Sequence, residues 1–209
     1  MKTKRSFYES ILTKYLPIEY VDMVVALLLV HPVIFKVVKP RKTKLGDFRA
    51  NIKNKKPQIT VNGNLNQYSF LITTLHEFAH LINFKVNGPY VGSHGKEWKK
   101  IYSELILPVI ELKKLPLDVE TALLNSLIKV KASSCSDVNL NRTLIKYDEG
   151  QKNHVTLETI NKNSIFVLNG ITFRKGNLRR TRYYCVELKS NKPYLVNRLA
   201  HVKEIKDEG

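Results

Sequence analysis

The segment on which our fold prediction depends reads Thr73-Thr74-Leu75-His76-Glu77-Phe78-Ala79-His80-Leu81. Its two histidines are four residues apart, about one turn of an α-helix, so that one metal ion can contact both. Glu77 follows the first histidine and is placed to accept a proton from water at that metal. The helix is predicted by the absence of Pro and Gly from Asn64 to Asn87 and by apolar residues at three- and four-residue spacing: Phe70, Leu71, Leu75, Phe78 and Ile82.

A third protein ligand is required, because a catalytic zinc site usually has three protein ligands and one open position. His94 is the only histidine between His80 and His154. It follows a segment that contains Gly88, Pro89 and Gly92, residues that can turn the chain back toward the helix. We therefore expect His94 to be the third ligand. A carboxylate, from Glu97 or Glu104, is the alternative.

The pattern H-E-x-x-H, a short spacer and H-G-x-x-W resembles that of the SprT/spartan zinc metalloprotease family. The matching positions are His76, Glu77, His80, His94, Gly95 and Trp98. The resemblance is specific from about Leu45 to Trp98. The metzincin pattern fits less well, because Asn83 and Val86 stand where that pattern requires Gly and His.

The resemblance implies an α+β fold with a zincin-like metalloprotease core, in which helices pack on a small β-sheet, and we add a small C-terminal β appendage. It implies a zinc-dependent metallopeptidase in which His76, His80 and His94 hold Zn²⁺ and Glu77 is the catalytic base. The substrate would be a protein or peptide, and the family's action on DNA-associated proteins makes DNA a candidate partner. Tyr90 is a weaker candidate, for oxyanion stabilisation, on proximity alone.

Two other functions stay open on the sequence. One is a nucleic-acid-binding protein with a structural or idle zincin core, although a purely structural site has no use for Glu77. The other is an ordinary cytosolic peptidase that ignores DNA. The sequence does not indicate the oligomeric state.

The net charge of +17 over 209 residues favours partners with dense negative charge, nucleic acid above all. Residues 71–116, around the predicted metal site, carry only +2, whereas residues 1–70 carry +9 and 117–209 carry +6. The densest basic segment, 173–184, interleaves basic and aromatic residues, which suits phosphate contact and base stacking. Its candidate nucleic-acid contacts are Arg174, Lys175, Arg179, Arg180 and Arg182. The alternative is a solvated hairpin whose tyrosines pack inward.

The two cysteines, Cys135 and Cys185, argue against a disulfide scaffold and a four-cysteine zinc site. We expect a cytoplasmic protein, because reducing conditions suit free thiols. Some SprT-like proteins carry a zinc ribbon at the C-terminal end, but only Cys185 lies there, so we expect a buried thiol instead. The apolar run Met23–Val38 is interrupted by His31, Pro32 and Lys36, and we expect no membrane association.

The predicted domains are an SprT-like metalloprotease domain at 1–131, a linker at 132–153 and a small β-rich subdomain at 154–209. The first domain is expected to contain two helices before Pro32 and two after His94, at Glu97–Leu105 and from Asp118 to about Lys129. Its expected strands are Val33–Val38, Gly46–Asn51 and Gln58–Val61. The expected strands of the last subdomain are Val155–Ile160, Ser164–Leu168, Ile171–Arg174, Thr181–Leu188 and Tyr194–Val196.

Overall fold

The computed structural model describes residues 3–41, 43–50, 56–128, 137–148 and 155–205. Internal packing divides the chain into two compact units, Met1–Asp148 and Glu149–Gly209. The described residues form six α-helices and two β-sheets, which confirms the α+β prediction. Among these residues, none of the helices combines the length and the apolar character that crossing a membrane requires.

The first unit contains all six α-helices and a three-stranded sheet. The helices are α1 Lys4–Leu12, α2 Val21–Val30, α3 Gln67–Asn87, α4 Lys96–Glu111, α5 Leu117–Ile128 and α6 Val138–Leu144, with 3-10 turns at Ile18–Tyr20 and Ile145–Tyr147. The strands are β1 Ile34–Val38, β2 Gly46–Arg49 and β3 Gln58–Asn62. β3 lies in the centre, parallel to β1 and antiparallel to β2, so that β2 forms one edge of this sheet.

Helix α3 is the core element of the first unit. It begins where the Asn66 side chain accepts hydrogen bonds from the backbone N–H groups of Tyr68 and Ser69. It ends at Gly88, whose φ of 79° suits glycine. Its fully buried apolar side chains are Phe70, Leu71, Leu75, Phe78, Ala79 and Leu81. Each large one contributes about 1.5–3 kcal/mol on burial, which is why so polar a motif can occupy a buried helix.

The first unit continues through the region where we predicted a linker. Asp137 caps α6 by accepting from the N–H groups of Asn139 and Leu140. Leu140 and Leu144, four residues apart, are buried in the core of this unit. The expected boundary at 131 therefore differs from the packing, because two leucines among polar residues are enough to dock a short helix. Residues 129–136, including Cys135, lie outside the described residues.

Other element boundaries differ by a few residues. α4 continues past Leu105 to Glu111, through Pro108, because Ile106, Val109 and Ile110 are buried. β2 ends at Arg49, and Asn51 lies outside the described residues.

The second unit is a six-stranded antiparallel sheet. Its strands are β4 Val155–Thr156, β5 Ile165–Leu168, β6 Ile171–Arg179, β7 Arg182–Glu187, β8 Pro193–Asn197 and β9 His201–Ile205, in the order β4-β9-β5-β6-β7-β8. β4 is shorter than predicted, because the Thr159 N–H turns back to the carbonyl of Thr156. β6 is longer, because it pairs with β7 as far as Arg179. We did not predict β9.

Candidate metal centre

Helix α3 presents two imidazoles on the same face. The Nε2 atoms of His76 and His80 are 3.1 Å apart, one turn from each other along the helix. His76 is buried and His80 is partly buried. The helical spacing read from the sequence therefore brings both nitrogens to one point.

The third imidazole comes from the segment between α3 and α4. There the Gly95 N–H donates to the carbonyl of Gly92 at 2.9 Å, which closes a turn around His94. The Nε2 atom of His94 lies 3.1 Å from that of His80 and 3.2 Å from that of His76. Neither alternative ligand, Glu97 nor Glu104, joins this group among the described residues.

The geometry of the three nitrogens fits a metal ion. Ligands at Zn–N distances of 2.0–2.1 Å in a tetrahedron stand about 3.3–3.4 Å apart, close to the 3.1–3.2 Å separations observed here. Three imidazoles leave one tetrahedral position open, as in catalytic rather than structural zinc sites. His76, His80 and His94 could thus hold a metal ion together.

The protonation of the imidazoles suits coordination. Burial, and then the neighbouring histidines, lower the pKa of His76 to about 3 and that of His80 to about 4. Burial, and then the charge of Lys99, also lower the pKa of His94. All three rings are therefore neutral at pH 7, with lone pairs available for a cation.

Glu77 lies buried beside this triad, with 6% of its surface exposed. Burial, and then the nearby Asp47 charge, raise the pKa of its carboxyl to about 8, against the opposing effect of the Phe48 backbone N–H. A carboxyl group in such surroundings exchanges a proton near neutral pH, as general acid–base chemistry requires.

The Trp98 ring packs against all three imidazoles. Its ring centroid lies 4.7 Å from that of His76, 5.2 Å from His80 and 4.7 Å from His94. The side chain is fully buried, and its indole N–H has no hydrogen-bond acceptor among the described residues. The tryptophan of the H-G-x-x-W motif thus packs helix α4 against the three histidines.

Strand β2 borders the site, and the sequence alone did not indicate which strand would do so. The Phe48 ring lies parallel to that of His80, at 6.4 Å between centroids and 5° between planes. A signal existed in Gly46 at the start of the predicted strand, since an isolated glycine there often marks a close backbone approach. Tyr90, the weaker candidate for oxyanion stabilisation, is 99% exposed.

In the second unit, the predicted basic cluster is divided by the sheet. The four arginines are exposed. Lys175 is only 3% exposed, and its ammonium donates to the carbonyls of Ile160 at 2.5 Å and Glu158 at 3.4 Å. Our prediction of Lys175 as a nucleic-acid contact is therefore wrong, because β6 alternates and directs this side chain inward. Cys185, opposite Lys175, is buried and free, as expected.

The comparisons with known proteins gave one positive finding. Residues 31–121 match the model of the SprT-like family. Neither the curated proteins nor the solved structures gave a match. The matched region runs from the end of α2 to α5 and includes the three histidines, Glu77 and Trp98. The resemblance read from the motif is thereby confirmed: the chain contains an SprT-like domain.

Proposed function

We propose that this protein is a zinc-dependent metallopeptidase with a zincin-like core. The observation that carries the proposal is the convergence of three neutral imidazole nitrogens within 3.2 Å of one another, beside the buried carboxyl of Glu77. A structural site would be closed by a fourth protein ligand, whereas the residues that the structure describes supply three and leave one position open.

Each residue of the site would have a separate role in hydrolysis. His76, His80 and His94 would hold Zn²⁺, which when bound supplies Lewis acidity toward water and the scissile carbonyl. The Glu77 carboxylate accepts a proton as water attacks and returns it to the leaving amine nitrogen. Because a bound cation favours ionised carboxylates, it would also favour the basic form of Glu77. Trp98 and Phe48 keep the imidazoles in place by ring contacts.

The edge of strand β2 is the place where we propose that an extended substrate binds. Among the described residues this strand pairs only with β3, and it contacts both Glu77 and His80. An extended peptide can add to such an edge through main-chain hydrogen bonds. This arrangement would place the peptide backbone beside the metal.

The test of the proposed activity is Glu77→Gln. Glutamine keeps the shape of the side chain but cannot accept the proton, so we expect bound zinc to remain while cleavage of casein or a DNA-binding protein is abolished. Elemental analysis should show one zinc per chain in both proteins. Equal cleavage by the variant would refute the role of Glu77, and a wild-type protein that binds zinc but cleaves nothing would favour the idle-core alternative.

We also propose that the second unit binds nucleic acid, DNA included, through one face of its sheet. Strand register places Arg174, Arg182 and Tyr184 on the face opposite the buried Phe173 and Cys185.

Arg179 pairs with Arg182 across the hairpin and lies over the Tyr184 ring, 5.2 Å from its centroid. Exposed arginines around a partly exposed aromatic ring favour phosphate contact and base stacking. The basic hairpin and the family's action on DNA-associated proteins support a protease that works on nucleic-acid-associated substrates.

The nucleic-acid proposal is tested by Arg179, Arg180 and Arg182 changed together to Ala. We expect weaker binding of a fluorescent oligonucleotide and a log–log salt slope smaller by up to roughly two or three. The matched control changes the exposed residues Lys162, Lys189 and Lys192 together to Ala, which removes the same amount of positive charge. An equal loss in both triple variants would indicate general attraction, and no binding at low salt would leave a peptidase that ignores DNA.

A further inference from the structure

Gly46 lies unusually close to helix α3. A Cβ atom added to it would stand 2.5 Å from Oε1 and 2.8 Å from Cγ of Glu77, and 2.7 Å from Cγ2 of Thr73. Real Cβ atoms essentially never approach neighbours within 3.0 Å. Any residue other than glycine at position 46 must therefore displace the Glu77 side chain, the Thr73 side chain or the strand.

Position 46 needs glycine because there is no room for a Cβ atom, and not because of its backbone conformation. The positive-φ glycines among the described residues are Gly88 and Gly170, and Gly46 is not one of them. It occupies a regular strand position opposite Val61. Alanine would normally be tolerated at such a backbone position, since glycine there is the entropically less favourable choice. The reason for glycine thus lies in what faces it, and that is Glu77.

Strand β2 approaches Glu77 at two positions. Gly46 provides the surface on which Oε1 and Cγ lie, and the backbone N–H of Phe48, two residues later, lowers the pKa of that carboxyl. Strand alternation directs the side chains of positions 46 and 48 to the same face. The Phe48 ring in turn stacks on His80, so that one short strand contacts both the proposed base and a proposed metal ligand.

The position of β2 is itself held by a side-chain network. The Arg41 guanidinium donates to Asn62 Oδ1 at 2.8 Å and to Thr60 Oγ1 at 3.0 Å. The Asn62 amide donates to the carbonyl of Lys44 at 2.9 Å. Thr60 and Asn62 are buried residues of the central strand β3. The segment that leads into Gly46 is thereby tied to the middle of the sheet.

From these contacts we infer that Gly46 is a positioning residue for Glu77: its missing side chain lets β2 hold the carboxyl in the orientation that the proposed hydrolysis needs. This inference rests on the proposed function. In this role Gly46 supplies no catalytic group of its own and acts through Glu77. Displacing a catalytic group by about 1 Å can cost a factor of 10² in rate.

The experiment compares Gly46→Ala with Gly63→Ala in the 209-residue chain. A Cβ at Gly63 would stand 2.8 Å from Cγ1 of Val37, so this control is also crowded, but Glu77 is not among the atoms it would meet. We expect Gly46→Ala to lower kcat by about 10- to 100-fold with KM and zinc content nearly unchanged, and Gly63→Ala to lower Tm without changing kcat, KM or zinc content. An unchanged kcat in Gly46→Ala, or a loss of zinc in parallel with kcat, would overturn the inference.

A second measurement does not depend on activity. In chelator, and in a Thr73→Ser background that removes the competing Cγ2 contact, Gly46→Ala should lower Tm. Combining it with Glu77→Ala, which removes Oε1 and Cγ, should recover at least half of that loss. If Gly46→Ala lowers Tm equally with Glu77 intact and in the Glu77→Ala background, the glycine does not serve this contact. If the wild type cleaves no peptide, the proposed function fails, and the inference fails with it.

Discussion

Glu77→Gln should make the metal-free protein more stable, although the same change should abolish cleavage by the zinc-bound protein. The folded carboxyl has a pKa of about 8, against 4.5 for the unfolded chain. Between these values the folded state binds a proton that the unfolded state does not, so the free energy of unfolding falls as pH rises. At pH 7 this amounts to roughly 3 kcal/mol, from about 1.4 kcal/mol per unit over the interval above 4.5. Glutamine keeps the shape of the side chain and avoids this cost.

The assay is urea unfolding of both proteins in chelator at pH 5, 6, 7 and 8. The free energy of unfolding of the variant should exceed that of the wild type by a small amount at pH 5 and by a few kcal/mol at pH 8. The difference grows because only the wild-type side chain titrates. Added zinc should narrow the difference, since a nearby cation favours the ionised form of Glu77. A difference that does not change with pH, or a more stable wild type at pH 8, would refute the view that Glu77 is held in a desolvated position.

Three further predictions concern the metal site. His94→Ala should lose most of the zinc, measured by elemental analysis; undiminished zinc would assign the third position to Glu97 or Glu104. Trp98→Phe should weaken zinc affinity by about tenfold in a chelator competition, because it shrinks the contact with three imidazoles; an unchanged affinity would make Trp98 only a packing residue. In chelator and in the Glu77→Gln background, which removes the opposing titration of Glu77, the protein should lose stability as pH falls below about 6.5, because unfolded histidines take up protons that His76 and His80, with pKa values of about 3 and 4, do not. A Tm of this variant that is flat from pH 7 to 5 would contradict this.

Local signals were sufficient where each residue acts through its own helix. The His76 and His80 pair follows from four-residue spacing, and the extent of α3 follows from Asn66, Gly88 and the apolar positions between them. The turn that returns His94 could be anticipated from its glycines, because a chain reversal is also a local event.

Contacts between distant segments could not be read in this way. Gly46 meets Glu77 across 31 positions, and no local pattern records which helix a strand approaches. The same holds for β9, which is identified by its pairing with both β4 and β5. The inward direction of Lys175 depends on the register of β6, and a count of basic residues cannot supply it.

The cap of helix α3 has a consequence for the order of events during synthesis. The Asn66 amide donates to the carbonyl of Leu144 at 2.9 Å and to the Asp148 carboxylate at 2.6 Å. Asp148 follows the end of α3 by about 60 residues, which a ribosome takes roughly 3–12 s to add. The three histidines therefore leave the ribosome well before the partners that complete the cap. A nascent chain can gather its metal ligands first and acquire the last layer of the unit, α6, afterwards.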